Sequence, residues 1–213
     1  MARPHFDNHV FNLTEAEAEL AEFKALLETN TDLAERDQVL ANFKRWPNLC
    51  ATMGQYNSRL GIGDLFRREF RILPHFRTDL TVRRGKTDNI CLIEFEGASD
   101  RHIFEDSDRG IDTWARPFEK GFSQVVDWTW ALDHYRKTAD YIDAFGSERP
   151  NIVGVLVIGR STSLSTTARK DRWEWRRNKV KADSFPLTLV TFDELYNDFA
   201  TWLALRKMDH AST

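Results

Sequence analysis

Three acidic residues within a short span are the first place where this sequence could do chemistry. In TDLTVRRGKTDNICLIEFEGA, from Thr78 to Ala98, Asp79 opens an extended run, and Glu94 and Glu96 are set into the end of the apolar run Ile90 to Phe95. Side chains alternate faces along a strand, so Glu94 and Glu96 point the same way. A turn at Gly85 to Asn89 would fold the two runs into a hairpin that, in a favourable register, sets Asp79 opposite the glutamates. Carboxylates buried side by side are strongly unfavourable unless a cation or hydrogen-bond donors neutralise them. One solution is an oxygen cage for a hard divalent cation such as magnesium, with Asp79, Glu94 and Glu96 as ligands. The other is a solvated strand end whose glutamates pair with nearby arginines.

The elements that must position these residues follow from periodicity. Thr14 and Glu17 form a capping box ahead of the helical stripe Leu20, Phe23 and Leu27. A second helix is expected from about Thr31, with Leu33, Leu40 and Phe43 on its apolar face, ending before Pro47. The period then shortens, with extended runs expected at Glu69 to Phe76, Thr78 to Val82, Ile90 to Phe95, Ile152 to Ile158 and Leu187 to Val190. One long helix is expected from Pro117 to Phe145, and a last one from Asp193 to Leu205. This order predicts an α/β domain with a mixed sheet flanked by helices. Residues 1–60 are expected to be a helical accessory segment and 61–213 the chemistry-bearing domain.

Composition narrows the function classes. The chain has 213 residues, 41% hydrophobic and 30% charged, which suits a folded domain rather than a disordered one. The longest apolar stretch, Ile152 to Ile158, is too short to span a bilayer, and the N-terminus lacks a basic and apolar signal pattern, so a cytoplasmic protein is expected. Cys50 and Cys91 offer neither a disulfide framework nor zinc spacing, and Cys91 reads as a core thiol. No GxSxG occurs, which argues against a serine hydrolase.

An Asp followed fifteen residues later by an acidic residue at the end of an apolar strand resembles the PD-(D/E)XK nuclease signature, here Asp79 and then Glu94-Phe95-Glu96. Glu96 stands where that family usually has lysine, a departure shared with some restriction endonucleases of the superfamily. In FSQVVDW, Gln124 precedes Trp128 by four residues, similar to the Gln-x-x-x-Tyr element of RecB-related nucleases. Gln124 would then address the metal or the scissile phosphate; the alternative is a core glutamine bonded to backbone. The run VLVIGRSTSLSTTARKDRWEWRR, followed by LTLVTFDEL, resembles the Shedu family (DUF4263), and the likeness covers roughly Asp64 to Leu205. The resemblance implies a restriction-endonuclease-like fold and a nuclease of bacterial antiphage defence that assembles as a homo-oligomer.

Net charge is slightly acidic, at −3, but the basic residues cluster. Arg172, Arg176 and Arg177, with Trp173 interleaved, lie in one short segment, and Arg83, Arg84 and Lys86 lie in the turn of the expected hairpin. Arginines would neutralise DNA phosphates and a tryptophan would stack on an unpaired base; the alternative is a solvated segment with inward-packed tryptophans. Arg160, after an apolar strand, could hold a phosphate or an acidic neighbour. The expected function is a magnesium-dependent DNA endonuclease, with manganese as a possible substitute. In it Asp79 and Glu94 bind metal, Glu96 positions water or a second ion, and Gln124 supports the metal shell or phosphate. Two alternatives stay open: a catalytically inactive nuclease-fold subunit that binds DNA or assembles, and a structural oligomer whose acidic cluster meets a partner's arginines.

Overall fold

Six strands pair in the order in which the chain makes them. In the computed structural model, which describes residues 6–72, 76–85, 87–108, 110–182 and 185–211, strands β1 (Asp7–Asn8), β2 (Leu65–Arg68), β3 (Leu80–Arg83), β4 (Asn89–Phe95), β5 (Asn151–Val157) and β6 (Leu187–Val190) form one sheet in that spatial order. Around it lie α1 (Leu13–Thr29), α2 (Ala41–Arg45), α3 (Pro47–Thr52), α4 (Arg116–Tyr135), α5 (Ala139–Phe145), α6 (Thr167–Lys179) and α7 (Phe192–Ala211). Strands β1 to β4 pair antiparallel, whereas β4 with β5 and β5 with β6 are parallel. Parallel neighbours need a crossover, which α4 and α5 supply before β5 and α6 supplies before β6.

Both faces of the sheet are covered, so β4 and β5 read as nearly continuous apolar runs. Leu80, Val82, Cys91, Ile93, Phe95, Val155 and Val157 pack with α1, α2, α3 and α7 through Phe23, Phe43, Trp46 and Phe199. Ile90, Leu92 and Leu156 face the other way, onto Phe118, Val125, Trp128, Phe145 and Trp173 of α4, α5 and α6. Cys91 is a buried free thiol in the first of these cores, as its position in the strand predicts. Among the described residues no helix is long and apolar enough to cross a membrane.

The mixed α/β class matches the sequence reading, but several boundaries differ for local reasons. The N-cap of α1 is Asn12, which accepts from Glu15 N at 3.2 Å, rather than Thr14. Where a second helix was expected, Asp32–Leu33 pairs with Ala98–Ser99, a π-helical turn follows at Glu35–Leu40, and only then comes α2. Helix α2 ends at Arg45, before Pro47 as expected, and Pro47 then starts α3, because the first helical turn needs no N–H at that position. The expected run Glu69 to Phe76 breaks at Glu69, whose φ of 52° is incompatible with a strand, and Arg71–Ile72 folds back on Phe76–Arg77; residues 73–75 lie outside the described ones. The long helix divides because the Thr138 side chain accepts from Tyr141 N and begins α5 anew. The basic segment, read without a defined element, is a helix, α6, capped by Thr166.

The residues before position 60 share a core with the sheet. The Phe43 ring of α2 lies 4.4 Å from that of Phe95, and both are buried. Truncating such an aromatic removes roughly 3–5 kcal/mol. Phe43→Ala is therefore expected to lower the thermal midpoint of one cooperative unfolding transition, followed by circular dichroism. A main transition that stays in place would mean that the N-terminal helices unfold as a separate unit.

Candidate active site

The β3–β4 hairpin sets three carboxylates at its open end. Leu80 pairs with Ile93 at the end of the register, and Asp79 N donates to Ile93 O at 3.1 Å, which puts Asp79 beside Glu94, whose side chain lies on the α4 face of β4. Glu96 follows two residues later on that face, beneath α4. Glu94 and Glu96 are buried, at 5% and 4% exposure. The Asp79 side chain is fixed by Phe95 N, which donates to Oδ2 at 2.8 Å.

Helix α4 answers the two glutamates one by one. Gln124 Nε2 donates to Glu94 Oε1 at 2.6 Å, and Lys120 Nζ donates to Glu96 Oε1 at 3.0 Å. Lys120 and Gln124 are four residues apart and so share one side of the helix. Gly121 lets that side approach: a Cβ there would stand 2.9 Å from Glu96 Cγ and from Leu156 Cδ1. A fourth carboxylate arrives from the N-terminal part of the chain, where Glu35 opens the π-helical turn and accepts from Lys120 Nζ at 3.4 Å. Sequence reasoning missed Lys120 and Glu35. Lys120 was detectable as the residue one helical turn before Gln124, whereas Glu35 comes close only through tertiary packing.

The cluster holds more negative charge than its protein surroundings neutralise. Burial pushes Asp79 up to about 6, opposed by the Phe95 N–H and reinforced by the charge of Glu35. Glu94 is pushed well above the usual carboxylate range by burial first, and then by the charges of Asp79 and Glu96. Burial pushes Glu96 up to about 7, against the pull of the Lys120 ammonium. Glu94 Oε2 is buried without a hydrogen-bond partner. A shared face of carboxylates with one orphaned oxygen suits a hard divalent cation in its donor chemistry. Among the described residues, however, no group of three or more His, Cys, Asp and Glu side chains is spaced to hold a metal ion. Asp79, Glu94 and Glu96 are each turned towards a protein donor instead.

Most of the basic residues singled out from the sequence are committed elsewhere. Arg83 donates to Ala144 O and Thr87 O, and with Arg84 it lies at the turn end of the hairpin. That turn is not beside the carboxylates: the length of β4, about 20 Å, separates them. Lys86 lies outside the described residues. Arg160 meets Asp193 with two nitrogens and caps the end of α1 by donating to Leu27 O and Asn30 O. Arg172 lies over the rings of Phe104 and Trp114. Arg176 pairs with both Glu119 oxygens and sits 4.3–4.9 Å from the ring centroids of Trp114, Phe118 and Phe122. Arg177 pairs with Glu194. Trp173 is wholly buried in the core, so no base can reach its ring; Trp175 is the exposed tryptophan of α6, beside exposed Lys170, Lys179 and Lys181.

Two expectations follow. Asp79 and Glu96 have native pKa values near 6 and 7, above the ordinary 3.8 and 4.5, and Glu94 shifts the same way. The native state therefore keeps protons that the unfolded chain has lost, and these groups make the fold less stable as pH rises through that window. Glu94→Gln should melt above wild type at about pH 8, with the gap closing near about pH 4. Equal gaps at both would exclude charge as the cause. Arg176→Ala should lower the melting temperature and leave DNA affinity little changed, measured by thermal unfolding and fluorescence anisotropy.

A profile of the family described as Shedu protein SduA, C-terminal, matches residues 17–196. No curated protein matches the chain. The matched range takes in strands β2 to β6, helix α4, and Glu35, Asp79, Glu94, Glu96, Lys120 and Gln124 alike. Spanning most of the sequence, that match shows that the chain belongs to the Shedu protein SduA, C-terminal, family.

Proposed function

We propose that this chain is a metal-dependent endonuclease that hydrolyses phosphodiester bonds in DNA, acting in the cytoplasm in antiphage defence. The observation that carries the reading is the cluster of Asp79 with the buried Glu94 and Glu96, in which Glu94 Oε2 has no hydrogen-bond partner among the described residues. An antiparallel hairpin followed by a parallel strand, with acidic residues at the strand ends beneath a helix, supports a PD-(D/E)XK type of fold. DNA as substrate and self-assembly of the chain belong to the same proposal, on the strength of family membership.

The roles divide by position. Asp79 and Glu94 would hold magnesium, or manganese in its place, and Glu96 would position water or a second ion; because the three are not spaced to hold an ion as they stand, binding would require their side chains to turn from their present donors. An ion held there would supply an acidified water and positive charge for phosphodiester hydrolysis. The chain's own groups prepare that site. Phe95 N–H fixes Asp79 at Oδ2, and the Gln124 amide fixes Glu94 at Oε1, which leaves Glu94 Oε2 without a hydrogen-bond partner among the described residues. Burial keeps bulk water from screening the carboxylates, so their attraction for a cation is strong. A second reading, an inactive nuclease-fold subunit that binds DNA or assembles, is favoured by one observation: position 96 carries glutamate where the family's lysine is usual.

The two readings separate on supercoiled and linear DNA incubated with magnesium, manganese or EDTA. Cleavage is expected with either metal and none in EDTA. Asp79→Asn and Glu94→Gln should each lose about a hundredfold or more in rate while staying folded. No cleavage by wild type with either metal would select the inactive subunit, and unchanged cleavage in both variants would remove the site assignment.

A further inference from the structure

We propose that Lys120, delivered from α4 and held by Glu35, is the cation that this site presents to the scissile phosphate. The inference rests on the nuclease reading and deepens it. The strand that carries Glu94 has glutamate, not a cation, two residues further on. Lys120 Nζ reaches Glu96 Oε1 at 3.0 Å and Glu35 Oε2 at 3.4 Å. Its side chain is 57% exposed against 5% for Glu96, so the ammonium lies between the buried carboxylates and solvent, where a phosphate would enter.

Three further facts tie Lys120 to the site rather than to the surface. It stands one helical turn from Gln124, so a single helix side addresses both strand glutamates. Gly121 beside it has no side chain, which brings the helix against Glu96. An ammonium carries three N–H donors, and with Glu96 and Glu35 taking two, the third suits a phosphate oxygen or an attacking water. Glu35 gives the N-terminal part of the chain a place in the site, because it holds Lys120 from the side opposite Glu96. The competing cation is Arg77, near Asp79, whose guanidinium pairs with Glu69 at 3.6 Å.

The test compares wild type, Lys120→Met, Glu35→Gln, Arg77→Met and the double variant Lys120→Met/Glu96→Gln, which removes the buried charge along with its partner. Cleavage of supercoiled DNA is measured with manganese. Binding of a short DNA duplex is measured in EDTA by anisotropy, manganese binding by electron paramagnetic resonance, and folding by thermal melts. Lys120→Met and the double variant should lose about a hundredfold or more in cleavage, bind the duplex more weakly, and stay folded. Lys120→Met should also bind manganese no less tightly than wild type. Glu35→Gln should lose less, and Arg77→Met should cleave like wild type. Cleavage and duplex affinity unchanged in Lys120→Met would overturn the inference while leaving the nuclease reading intact, as would a loss confined to Arg77→Met or one explained by lost manganese. Absence of cleavage by wild type with either metal would remove both.

Discussion

Glu94 and Glu96 lie two residues apart on one side of β4, and a strand advances about 6.6 Å over that step, close to the roughly 6 Å that a helix advances over four residues. The match of the two rises lets α4 set Gln124 over Glu94 and Lys120 over Glu96 without bending either element. Other features of this face serve that match. Gly121 allows the close approach, Pro117 starts the helix in the first turn, and the aromatic side chains Phe118 and Phe122 anchor it next to Trp173. The face combines a greasy floor with a charged edge, and the edge carries Glu94 and Glu96.

That edge is an electrostatic compromise. A core built for stability alone would put apolar side chains where Asp79, Glu94 and Glu96 stand, since burial first, and then neighbouring negative charge (Glu35 for Asp79 and Glu96, Asp79 and Glu96 for Glu94), holds all three above their ordinary pKa values. Beside them Lys120 bonds Glu96, and among the described residues Glu94 Oε2 has no hydrogen-bond partner. The basic residues of α6 show the opposite arrangement. Arg169, Arg172 and Arg176 are absorbed by acidic partners and aromatic faces, so a segment that looks like a phosphate-binding stripe in one dimension is largely a structural brace in three.

Gln124 was singled out by resemblance to a Gln-x-x-x-Tyr element, whereas the glutamates' shared face and the buried apolar strands were legible because they depend on a period of two residues, which sequence displays directly. The mixed sheet was legible for the same reason. What stayed hidden depends on packing between distant segments. Glu35 lies far from the hairpin in sequence and reaches Lys120 only because Asp32–Leu33 pairs with Ala98–Ser99 just beyond β4. The hydrogen bonds of Arg83 and Arg160 to backbone carbonyls could not be told from phosphate contacts by residue type. The break at Glu69 required a positive φ at a residue that rarely adopts one, and nothing in its neighbours announced it.

The position of the carboxylates at the open end of the hairpin also bears on how the chain folds. A hairpin closes from its turn, and here the turn follows Arg83 while Asp79 and Glu94 meet at the far end, after the intervening pairs have formed. Where the rate-limiting barrier precedes closure of that far end, their repulsion raises the native state and not the barrier. Neutralising the cluster, by protonation or by a bound ion, accordingly slows escape from the native basin more than it hastens entry. Occupancy of the site would thus act as a kinetic latch, lengthening the lifetime of the folded state while leaving the speed of its formation nearly unchanged.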